Sequence, residues 1–286
     1  MNGSALARVQ VCHDEEHVID DDAANRHWFT LSTPGLGLLL LGSHALTGRL
    51  GGPGLQGMAV MPVFVNVRRG FGERGRRGRD VDSRLVTARV LELWRYPVKS
   101  LLGEPLDEIE VDGRGVVGDR VFAVTDRDGK IGSGKTTRRF RCLQGLFELR
   151  ARSAGERPIV TVPDGRELRV GDPRLDAYLS ERYGDDVEVL AESSVRHHDS
   201  APLHLLTTAS LRWLQAALSL SLIDRRRFRP NILLNLPGSD LVEDGWLGAR
   251  FGLGTTVIRI LDRSERCVMA TNALDDLPND PAILHG

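Results

Sequence analysis

From residue 86 onwards, the sequence alternates short apolar–polar segments with turn residues, and this pattern restricts the fold more than any other feature. Residues 90–96 alternate as a β-strand that Pro97 ends, and residues 159–162 and 168–170 read as two strands around a Pro-Asp-Gly turn. Short strands closed by turns are typical of curled sheets and barrels. The predicted fold class is therefore mainly β with a few helices (α+β), in the form of paired β-barrels.

Two helices interrupt the predicted strands. Asp172 and Pro173 are typical of an N-cap and a first helical residue, and Gly184 ends the helical spacing that follows them. Thr207 and Thr208 are expected to cap a second helix. The sequence thus predicts one helix in each half of the β-rich region.

The chain divides into three predicted segments. Residues 86–191 are expected to form an N-terminal β-barrel-like domain, and residues 192–286 a second β-barrel domain. Residues 1–85 begin acidic, become rich in Gly and Leu, and end in an Arg/Gly run at 68–79, with a periodic pattern only near 58–67. We expect a disordered extension or a start codon assigned too far upstream, in preference to a nucleic-acid-binding tail.

Composition limits the classes of partner and compartment. A formal net charge of −1 and 27% charged residues give no support for a nucleic-acid or membrane-surface partner. Cys12, Cys142 and Cys267 have no pairing pattern, which indicates a reducing cytoplasm and excludes a four-cysteine iron–sulfur cluster. The apolar run at residues 36–41 is too short to span a bilayer and follows acidic rather than basic residues, so no signal peptide is expected.

One motif matches a nucleotide-binding pattern. Residues 129–136, Gly-Lys-Ile-Gly-Ser-Gly-Lys-Thr, fit the phosphate-loop sequence, which requires a preceding parallel strand and a following helix. Here Gly129 completes the turn Asp126–Gly129 between two strands, and the alternating strand–helix order of such proteins is missing. We therefore expect a Gly-rich loop with solvated cations, or a basic loop near an anionic ligand, rather than a nucleotidase.

Cys267 is the strongest candidate for a reactive side chain. It lies between an alternating run at residues 256–261 and a second apolar run at 268–270, both interpreted as strands. Arg263 and Arg266 are close in sequence, and neighbouring cations favour the thiolate, which is both a nucleophile and a soft metal ligand. The alternative is that Cys267 is a small apolar core residue.

A set of polar side chains lies at the predicted strand ends. Lys99 and Ser100 follow the first strand, Arg120 begins another, and Arg229 and Asn231 flank Pro230. Each could be an ordinary exposed group. Together they suit a phosphate-bearing cofactor, because Arg binds phosphate bidentately and Lys acts as a point charge.

These residues carry a family resemblance that runs from about residue 86 to the end. The motifs in order are residues 95–100 (Arg-Tyr-Pro-Val-Lys-Ser), 118–120 (Gly-Asp-Arg), Asp199 before Ala201-Pro202, 228–231 (Phe-Arg-Pro-Asn), 243–246 (Glu-Asp-Gly-Trp) and Arg266-Cys267. This set resembles the MOSC family, in which an N-terminal β-barrel precedes the molybdenum cofactor sulfurase C-terminal domain. Relatives include the mitochondrial amidoxime-reducing component and bacterial hydroxylaminopurine-resistance proteins.

The resemblance implies roles for individual residues. Cys267 would be the protein thiolate on molybdenum, and Asp199 would lie near the metal as a proton donor or a supporting group. The residues implied to hold the pterin and its phosphate are Lys99, Ser100, Arg120, Arg229, Asn231 and, in a hydroxyl-rich stretch, Thr207 or Thr208. The family's acidic stretch after the cysteine is replaced by residues 272–278, and its last strands are expected to be missing from this chain.

The resemblance also implies a reaction and its partners. The expected activity is a two-electron reduction of an N-hydroxylated or N-oxide small molecule by a molybdenum-cofactor (molybdopterin) oxidoreductase. Electrons would come from a separate reductase or ferredoxin-type protein, since the sequence has no flavin, haem or cluster motif. Two alternatives stay open: a non-catalytic cofactor or sulfur carrier, and a pyridoxal-phosphate-binding protein, although Lys99, Lys130 and Lys135 are the chain's three lysines.

Overall fold

A computed structural model describes residues 7–10, 64–68, 87–219, 223–254 and 256–284. Its strands are β1 (Ala7–Gln10), β2 (Phe64–Arg68), β3 (Thr87–Arg95), β4 (Val98–Lys99), β5 (Glu104–Leu106), β6 (Glu108–Asp112), β7 (Gly115–Val116), β8 (Phe122–Asp126), β9 (Ile131–Ser133), β10 (Phe140–Cys142), β11 (Arg150–Arg152), β12 (Ile159–Thr161), β13 (Glu167–Arg169), β14 (Val187–Ala191), β15 (Leu205–Thr207), β16 (Ile232–Asn235), β17 (Arg250–Leu253) and β18 (Thr256–Arg259).

The helical content of the described residues is small. The α-helices are α1 (Pro173–Tyr183) and α2 (Thr208–Ala217). Short 3-10 helices cover Leu146–Glu148, Arg225–Phe228, Val242–Trp246, Val268–Thr271 and Pro281–Leu284. The predicted fold class, mainly β with a few helices, is confirmed.

The largest sheet takes strands from both halves of the chain. It has seven strands in the order β15-β16-β3-β2-β17-β18, with β5 also paired to β3. β3 pairs antiparallel with β16, so that Leu93 lies opposite Ile232. Since β3 comes from the first predicted domain and β16 from the second, this pairing joins the two predicted regions in one sheet.

A second sheet carries the hairpin that contains the Gly-rich motif. Its order is β10-β9-β8-β14, and β4 pairs parallel with β8. β8 and β9 are antiparallel and Gly129 has φ 75°, as the turn Asp126–Gly129 requires. A strand precedes the motif and a loop follows it, without the helix that a phosphate loop needs, so the hairpin prediction is confirmed. Two three-stranded sheets, β1-β6-β7 and β11-β12-β13, complete the set for the described residues.

Two apolar clusters hold these sheets together. One surrounds the large sheet and includes Leu93, Ile232 and Phe251, and the other includes Leu175 and Leu179 of α1, all at most 1% exposed. Burying one such side chain fully contributes about 1.5–3 kcal/mol, which makes these clusters the main source of stability.

Both helices begin as the sequence predicts. The Asp172 side chain accepts a hydrogen bond from Arg174 N at 3.0 Å, and Gly184 ends α1 with φ 67°. Thr207 caps α2, because its hydroxyl accepts a hydrogen bond from Ser210 N at 3.1 Å. The side-chain oxygens satisfy backbone N–H groups that the first helical turn leaves unpaired.

One predicted strand is wrong. Residues 268–270 form part of the 3-10 helix Val268–Thr271 instead. The Thr271 hydroxyl donates to Val268 O at 2.8 Å, and Arg227 donates to Ala270 O at 3.3 Å, so local partners replace a neighbouring strand. Three apolar residues do not distinguish strand from helix by periodicity.

Two segments within residues 1–85 form strands. Within residues 1–85, β1 pairs with β6, and β2 lies between β3 and β17 in the large sheet. β2 overlaps the one stretch, near residues 58–67, in which the sequence shows a periodic pattern. The remaining part of the predicted extension lies outside the described residues.

In the part of the chain that the structure describes, no helix has the length and apolar character that crossing a membrane demands.

We expect Gly115→Ala to destabilise the protein. Gly115 has φ 111°, and a Cβ there would overlap the backbone oxygen of Pro202, which cannot move as a side chain can. The strained backbone alone should lower the free energy of unfolding by about 1–3 kcal/mol. Urea denaturation of this variant should be compared with that of Gly113→Ala, where nothing lies within 4 Å of the added carbon. Equal stability of the two variants would contradict the close approach of these segments.

A pair of truncations tests the position of β2. A chain starting at residue 62 keeps β2, whereas a chain starting at residue 86 lacks it and leaves β3 and β17 unpaired along one edge. Since each backbone hydrogen bond contributes about 1 kcal/mol, the shorter chain should lose more than about 2 kcal/mol of unfolding free energy. The measurement is thermal and urea unfolding of both proteins, and identical curves would show that β2 adds nothing to the sheet.

Candidate functional site

Tyr96, directly after β3, is the platform of the candidate site. Its ring is stacked against two guanidinium groups, with the Arg229 Cζ atom 4.6 Å and the Arg120 Cζ atom 4.9 Å from the ring centre. The Tyr96 hydroxyl donates to Pro230 O at 3.1 Å, and burial raises the pKa of Tyr96 well above its usual value. Tyr96 is therefore a neutral ring that orders two cations by cation–π contact.

Arg120 is held in place from three sides. It adopts a left-handed conformation with φ 52°, and its Nη1 donates to the Asp119 carboxylate and to Asn231 Oδ1 at 3.3 Å. Its Nη2 donates to Arg229 O at 3.3 Å. These contacts fix the direction of the guanidinium before any ligand binds.

Asp119 is a fully buried carboxylate that anchors this arrangement. Its Oδ1 accepts a hydrogen bond from Tyr96 N at 2.7 Å, and its Oδ2 accepts from Arg120. Burial disfavours the charge, but the Arg120 guanidinium and the hydrogen bonds outweigh that effect and lower the pKa of Asp119. Asp119 therefore stays ionised and neutralises part of the positive charge around it.

Arg229 has buried donors that no group among the described residues satisfies. It follows the 3-10 helix Arg225–Phe228 with φ 51°, and its guanidinium also lies 5.6 Å from the Phe147 ring centre. Its Nε and Nη2 atoms are buried and have no hydrogen-bond partner among the described residues. Burial and the charge of Arg120 lower the pKa of Arg229 to about 10. Unpaired donors on a desolvated cation indicate a place for an anion.

Lys99 brings a third cation to the same site. Its side chain is 5% exposed, and its Nζ lies 2.8 Å from the Asp199 carboxylate and 5.5 Å from the centre of the Phe140 ring. Burial lowers the pKa of Lys99, and repulsion from Arg120 and Arg229 adds to that effect, so the pKa is about 8 despite the opposing charge of Asp199. Arg120 and Arg229 share the Tyr96 ring, and both are close enough to act on the charge of Lys99, so the three cations form one cluster.

Ser100 and Asp199 border Lys99. Ser100 follows it in the chain, is buried, and has φ 66°. The Asp199 side chain is 67% exposed and pairs with Lys99. Burial opposes ionisation of Asp199, but the Lys99 charge and hydrogen bond outweigh it, so the pKa of Asp199 lies below its usual value.

Asn231 supports the site through its neighbours. Its Oδ1 accepts from Arg120 Nη1 and from His204 N at 3.1 Å, and its Nδ2 donates to Trp94 O at 3.2 Å. The amide group is fully buried. Both ends of the amide are used within the protein, so Asn231 positions Arg120 and the strands beside it.

Thr208 lies away from this cluster. Its hydroxyl donates to Leu236 O at 3.0 Å and accepts from Leu236 N at 3.0 Å. Leu236 follows the last residue of β16, whereas Asn231 precedes the first. At about 3.3 Å per residue, roughly 16 Å separates the two ends. The structure does not bring Thr208 together with the other predicted cofactor residues.

Cys267 begins the 3-10 helix Val268–Thr271 and is half-buried. Arg227 connects this helix to the one that leads into Arg229, since its Nη1 donates to Ala270 O at 3.3 Å and to Asn272 O at 3.0 Å. The elements that carry Arg229 and Cys267 therefore contact each other. Arg263, predicted to favour the thiolate, lies 2.6 Å from the Asp244 carboxylate, so its charge is partly offset.

Several residues of this arrangement were missed at the sequence level. Tyr96 and Asp119 lie within the motifs Tyr-Pro-Val-Lys-Ser and Gly-Asp-Arg, but the sequence predicts no role for either. Arg227 directly precedes the motif at residues 228–231, and Phe140 follows the Gly-rich motif, but the sequence predicts no role for either. The useful signal was an acidic residue directly before a candidate arginine, because a buried cation cluster needs a nearby counter-ion.

The residues present suit a phosphate-bearing cofactor. Three cations, Lys99, Arg120 and Arg229, are balanced by two carboxylates, Asp119 and Asp199, and Arg229 has unpaired donors. No group of three or more His, Cys, Asp or Glu residues within the described ranges could hold a metal ion. A single cysteine is therefore consistent only with a metal whose other ligands come with the cofactor.

Comparison with protein-family models gives two matches. Residues 87–170 match the model of the MOSC N-terminal beta barrel domain, and residues 192–284 match that of the MOSC domain. A comparison of the sequence with curated proteins found no match. Together the two models cover more than half of the chain, including each predicted site residue.

Anion binding at this cluster should weaken as the pH rises through about 8. Lys99 has a pKa lowered to about 8, so it loses its positive charge there, whereas the pKa of Arg229 is about 10. Sulfate is the suitable probe, because its charge is constant over this range, and its dissociation constant can be measured by calorimetry from pH 6.5 to 9.5.

Lys99→Gln provides the comparison for that titration. This variant should bind sulfate more weakly at pH 7 and lose the decline in affinity centred near pH 8, since the titrating group is gone. A bound anion stabilises the charged lysine, so the midpoint in the complex should lie above that of the free protein. The same pH profile in both proteins would show that Lys99 does not face the anion.

Proposed function

The chain belongs to the MOSC family, and on that basis we propose that it binds the molybdenum cofactor and reduces small N-hydroxylated or N-oxide compounds. MOSC domains are associated with molybdenum-cofactor proteins, and the reaction and its substrate are our extension of that association. A separate reductase or ferredoxin-type protein would supply the electrons.

One observation carries the proposal: the Nε and Nη2 atoms of Arg229, buried and without a hydrogen-bond partner in the described part of the chain, lie in a cluster with Arg120 and Lys99. Three partly desolvated cations repel each other, and the resulting rise in free energy is relieved when an anion binds among them. A phosphate group presents several acceptor oxygens, which suits a guanidinium fork and an ammonium together. This arrangement supports binding of the pterin phosphate.

The other predicted residues have distinct roles in this proposal. Cys267 would be the protein ligand to molybdenum, as a thiolate. Ser100 would offer its hydroxyl beside Lys99. When bound, the cofactor would supply two-electron oxygen-atom transfer, which protein side chains do not provide.

Asp199 would orient Lys99 rather than act as the proton donor. Its lowered pKa keeps the carboxylate ionised at neutral pH, and its Oδ1 lies 2.8 Å from Lys99 Nζ. An ionised carboxylate accepts protons, so between the two roles that the sequence left open, the supporting role fits better. Asp199 would hold the ammonium of Lys99 against the anion and restrict its rotation.

A second candidate function rests on Lys99 itself. A buried lysine with a pKa of about 8 is a stronger nucleophile at neutral pH than an exposed one, and the nearby arginines could hold the phosphate of pyridoxal phosphate. Incubation with pyridoxal phosphate, borohydride treatment and mass spectrometry would test this. A pyridoxyl group on the Lys99 peptide at stoichiometric yield would favour this second candidate over the first.

The decisive experiment measures molybdenum and pterin per chain after expression in a host that makes the cofactor. We expect wild-type protein to carry close to one of each. Cys267→Ser should reduce the molybdenum content and abolish reduction of N-hydroxylated compounds, whereas Cys142→Ser, the matched control at a second half-buried thiol, should do neither. A wild-type protein purified without metal or pterin from such a host would overturn the proposal.

Arg229 variants test the anion site in the same material. Each charge-assisted hydrogen bond contributes about 1.5–3 kcal/mol, which is roughly 10- to 150-fold in affinity. Arg229→Ala should therefore lose pterin far more than it loses thermal stability, and Arg229→Lys should recover only part of it, because a point charge cannot replace a fork. Arg138→Ala, at an exposed arginine, is the control. Full pterin content in Arg229→Ala would show that Arg229 does not bind the pterin phosphate.

Retention of the cofactor without turnover would favour the carrier alternative. In that case wild-type protein would hold molybdenum and pterin but reduce no N-hydroxylated compound with a chemical electron donor. Transfer of the intact cofactor to an apoenzyme would then be the activity to measure.

A further inference from the structure

A second group of cations shares the Phe140 ring with Lys99. The Phe140 ring, buried at the start of β10, has three positive groups around it. Lys99 Nζ lies 5.5 Å, Lys135 Nζ 5.4 Å and Arg139 Cζ 5.2 Å from its centre. Lys99 belongs to the cluster already described. Lys135 and Arg139 have no role in the proposed binding of the cofactor.

These two cations have capacity for a further anion. Lys135 is exposed and has no acidic partner within ion-pair distance among the described residues. Arg139 is anchored to the backbone, since its Nη2 donates to Arg196 O at 2.6 Å and to His198 O at 3.2 Å. Its Nε atom is buried without a hydrogen-bond partner in the described structure. A fixed guanidinium with an unused donor, beside a free ammonium, suits a carboxylate or a phosphate.

The loop that carries Lys135 also borders the helix that begins at Cys267. A Cβ at Gly134 would lie 2.8 Å from Met269 Sδ and 3.1 Å from Asn272 Nδ2, so glycine allows the loop to approach that helix closely. The segment from Gly134 to Arg139 therefore contacts the Cys267 element at one end and shares the Phe140 ring with Lys99. The segment is therefore adjacent to two elements that the proposed cofactor site uses.

The charges around the Phe140 ring also favour the binding of an anion there. Asp199 is the acidic side chain that pairs with Lys99. The charges of Lys99 and of Arg139 both lower the pKa of Asp199. Among the described residues, Lys99 is the one cation of this group with an acidic partner within ion-pair distance, so positive charge exceeds negative charge around the Phe140 ring. Excess charge of one sign at a partly enclosed site attracts ligands of the opposite sign.

We propose that Lys135 and Arg139 recognise an anionic group, a carboxylate or a phosphate, on the substrate. That this anionic group belongs to a substrate rests on the proposed function, whereas the binding of an organic anion at this site does not. Lys135 supplies a mobile point charge and Arg139 a fixed fork, and Phe140 positions both through cation–π contact. The chain would thus prefer N-hydroxylated acids over their neutral analogues.

The test uses two probes that differ in one charge: a neutral aryl amidoxime and the same compound with a para carboxylate. Their dissociation constants are measured by calorimetry on the full chain at low salt and neutral pH. The wild-type protein should bind the carboxylate compound about 3- to 10-fold more tightly, as expected for a charge-assisted contact that is partly exposed. The preference should shrink at 0.5 M salt, because screening weakens exposed charge pairs.

The variants locate the effect. Lys135→Ala should remove most of the preference by weakening binding of the acid alone, and Lys135→Arg should keep it. Lys130→Ala, which removes the same charge at the other end of β9, should leave the preference unchanged. If Arg139→Ala folds, it should also remove most of the preference. Lys135 is exposed, so its substitution should not disturb folding, and Lys135→Ala tests the site even if Arg139→Ala does not fold.

The outcomes separate this inference from the proposed function. Equal binding of the two probes by wild-type protein, a preference that survives Lys135→Ala, or an equal loss in Lys130→Ala would each overturn the inference. Reduction of both probes at equal kcat/KM with a chemical electron donor would then still support the reductase. A Lys135-dependent preference without any reduction would sustain the anion site and contradict the reductase.

Discussion

The buried pair Asp119–Arg120, packed against Tyr96, is the interaction on which the site depends. The end of β3 is held to the segment before β8, because Tyr96 N donates to Asp119 at 2.7 Å and Arg120 N donates to Tyr96 O at 2.7 Å. Removal of one partner from such a buried pair typically costs about 3–5 kcal/mol, since the other charge is left uncompensated. The pair thus stabilises the backbone that carries the cations and reduces the repulsion among them.

Asn231 extends this connection to the second half of the chain. Its backbone N–H donates to His204 O at 2.8 Å, its carbonyl accepts from Trp94 N at 2.9 Å, and its side chain holds Arg120. The same residue therefore joins β3, the approach to β15 and the cation cluster. A site at the junction of two sequence regions is rigid because one hydrogen-bonded sheet, rather than a pair of loops, supports it.

The cation cluster is unfavourable by itself, and this explains why it indicates function. Burial lowers the pKa values of Lys99 and Arg229 to about 8 and about 10, so both charges exist at neutral pH at a cost in free energy. A structural ion network would normally satisfy its donors, whereas Arg229 keeps two buried donors free of partners in the described structure. Charge that is unsatisfied without a ligand is typical of binding sites, where the ligand completes the network.

The sequence by itself determined the family, the mainly β fold class, both helix caps and most of the cationic residues. Caps and hairpin turns depend on a few neighbouring residues, such as Asp172 with Arg174 or Asp126 to Gly129, and cationic side chains are visible wherever they stand. Only the tertiary structure decided that Thr208 faces Leu236, that β2 lies inside the large sheet, and that Lys135 shares the Phe140 ring with Lys99. These facts depend on pairing between residues far apart in the chain, and local periodicity does not specify which distant segments form hydrogen bonds or bury their charges together.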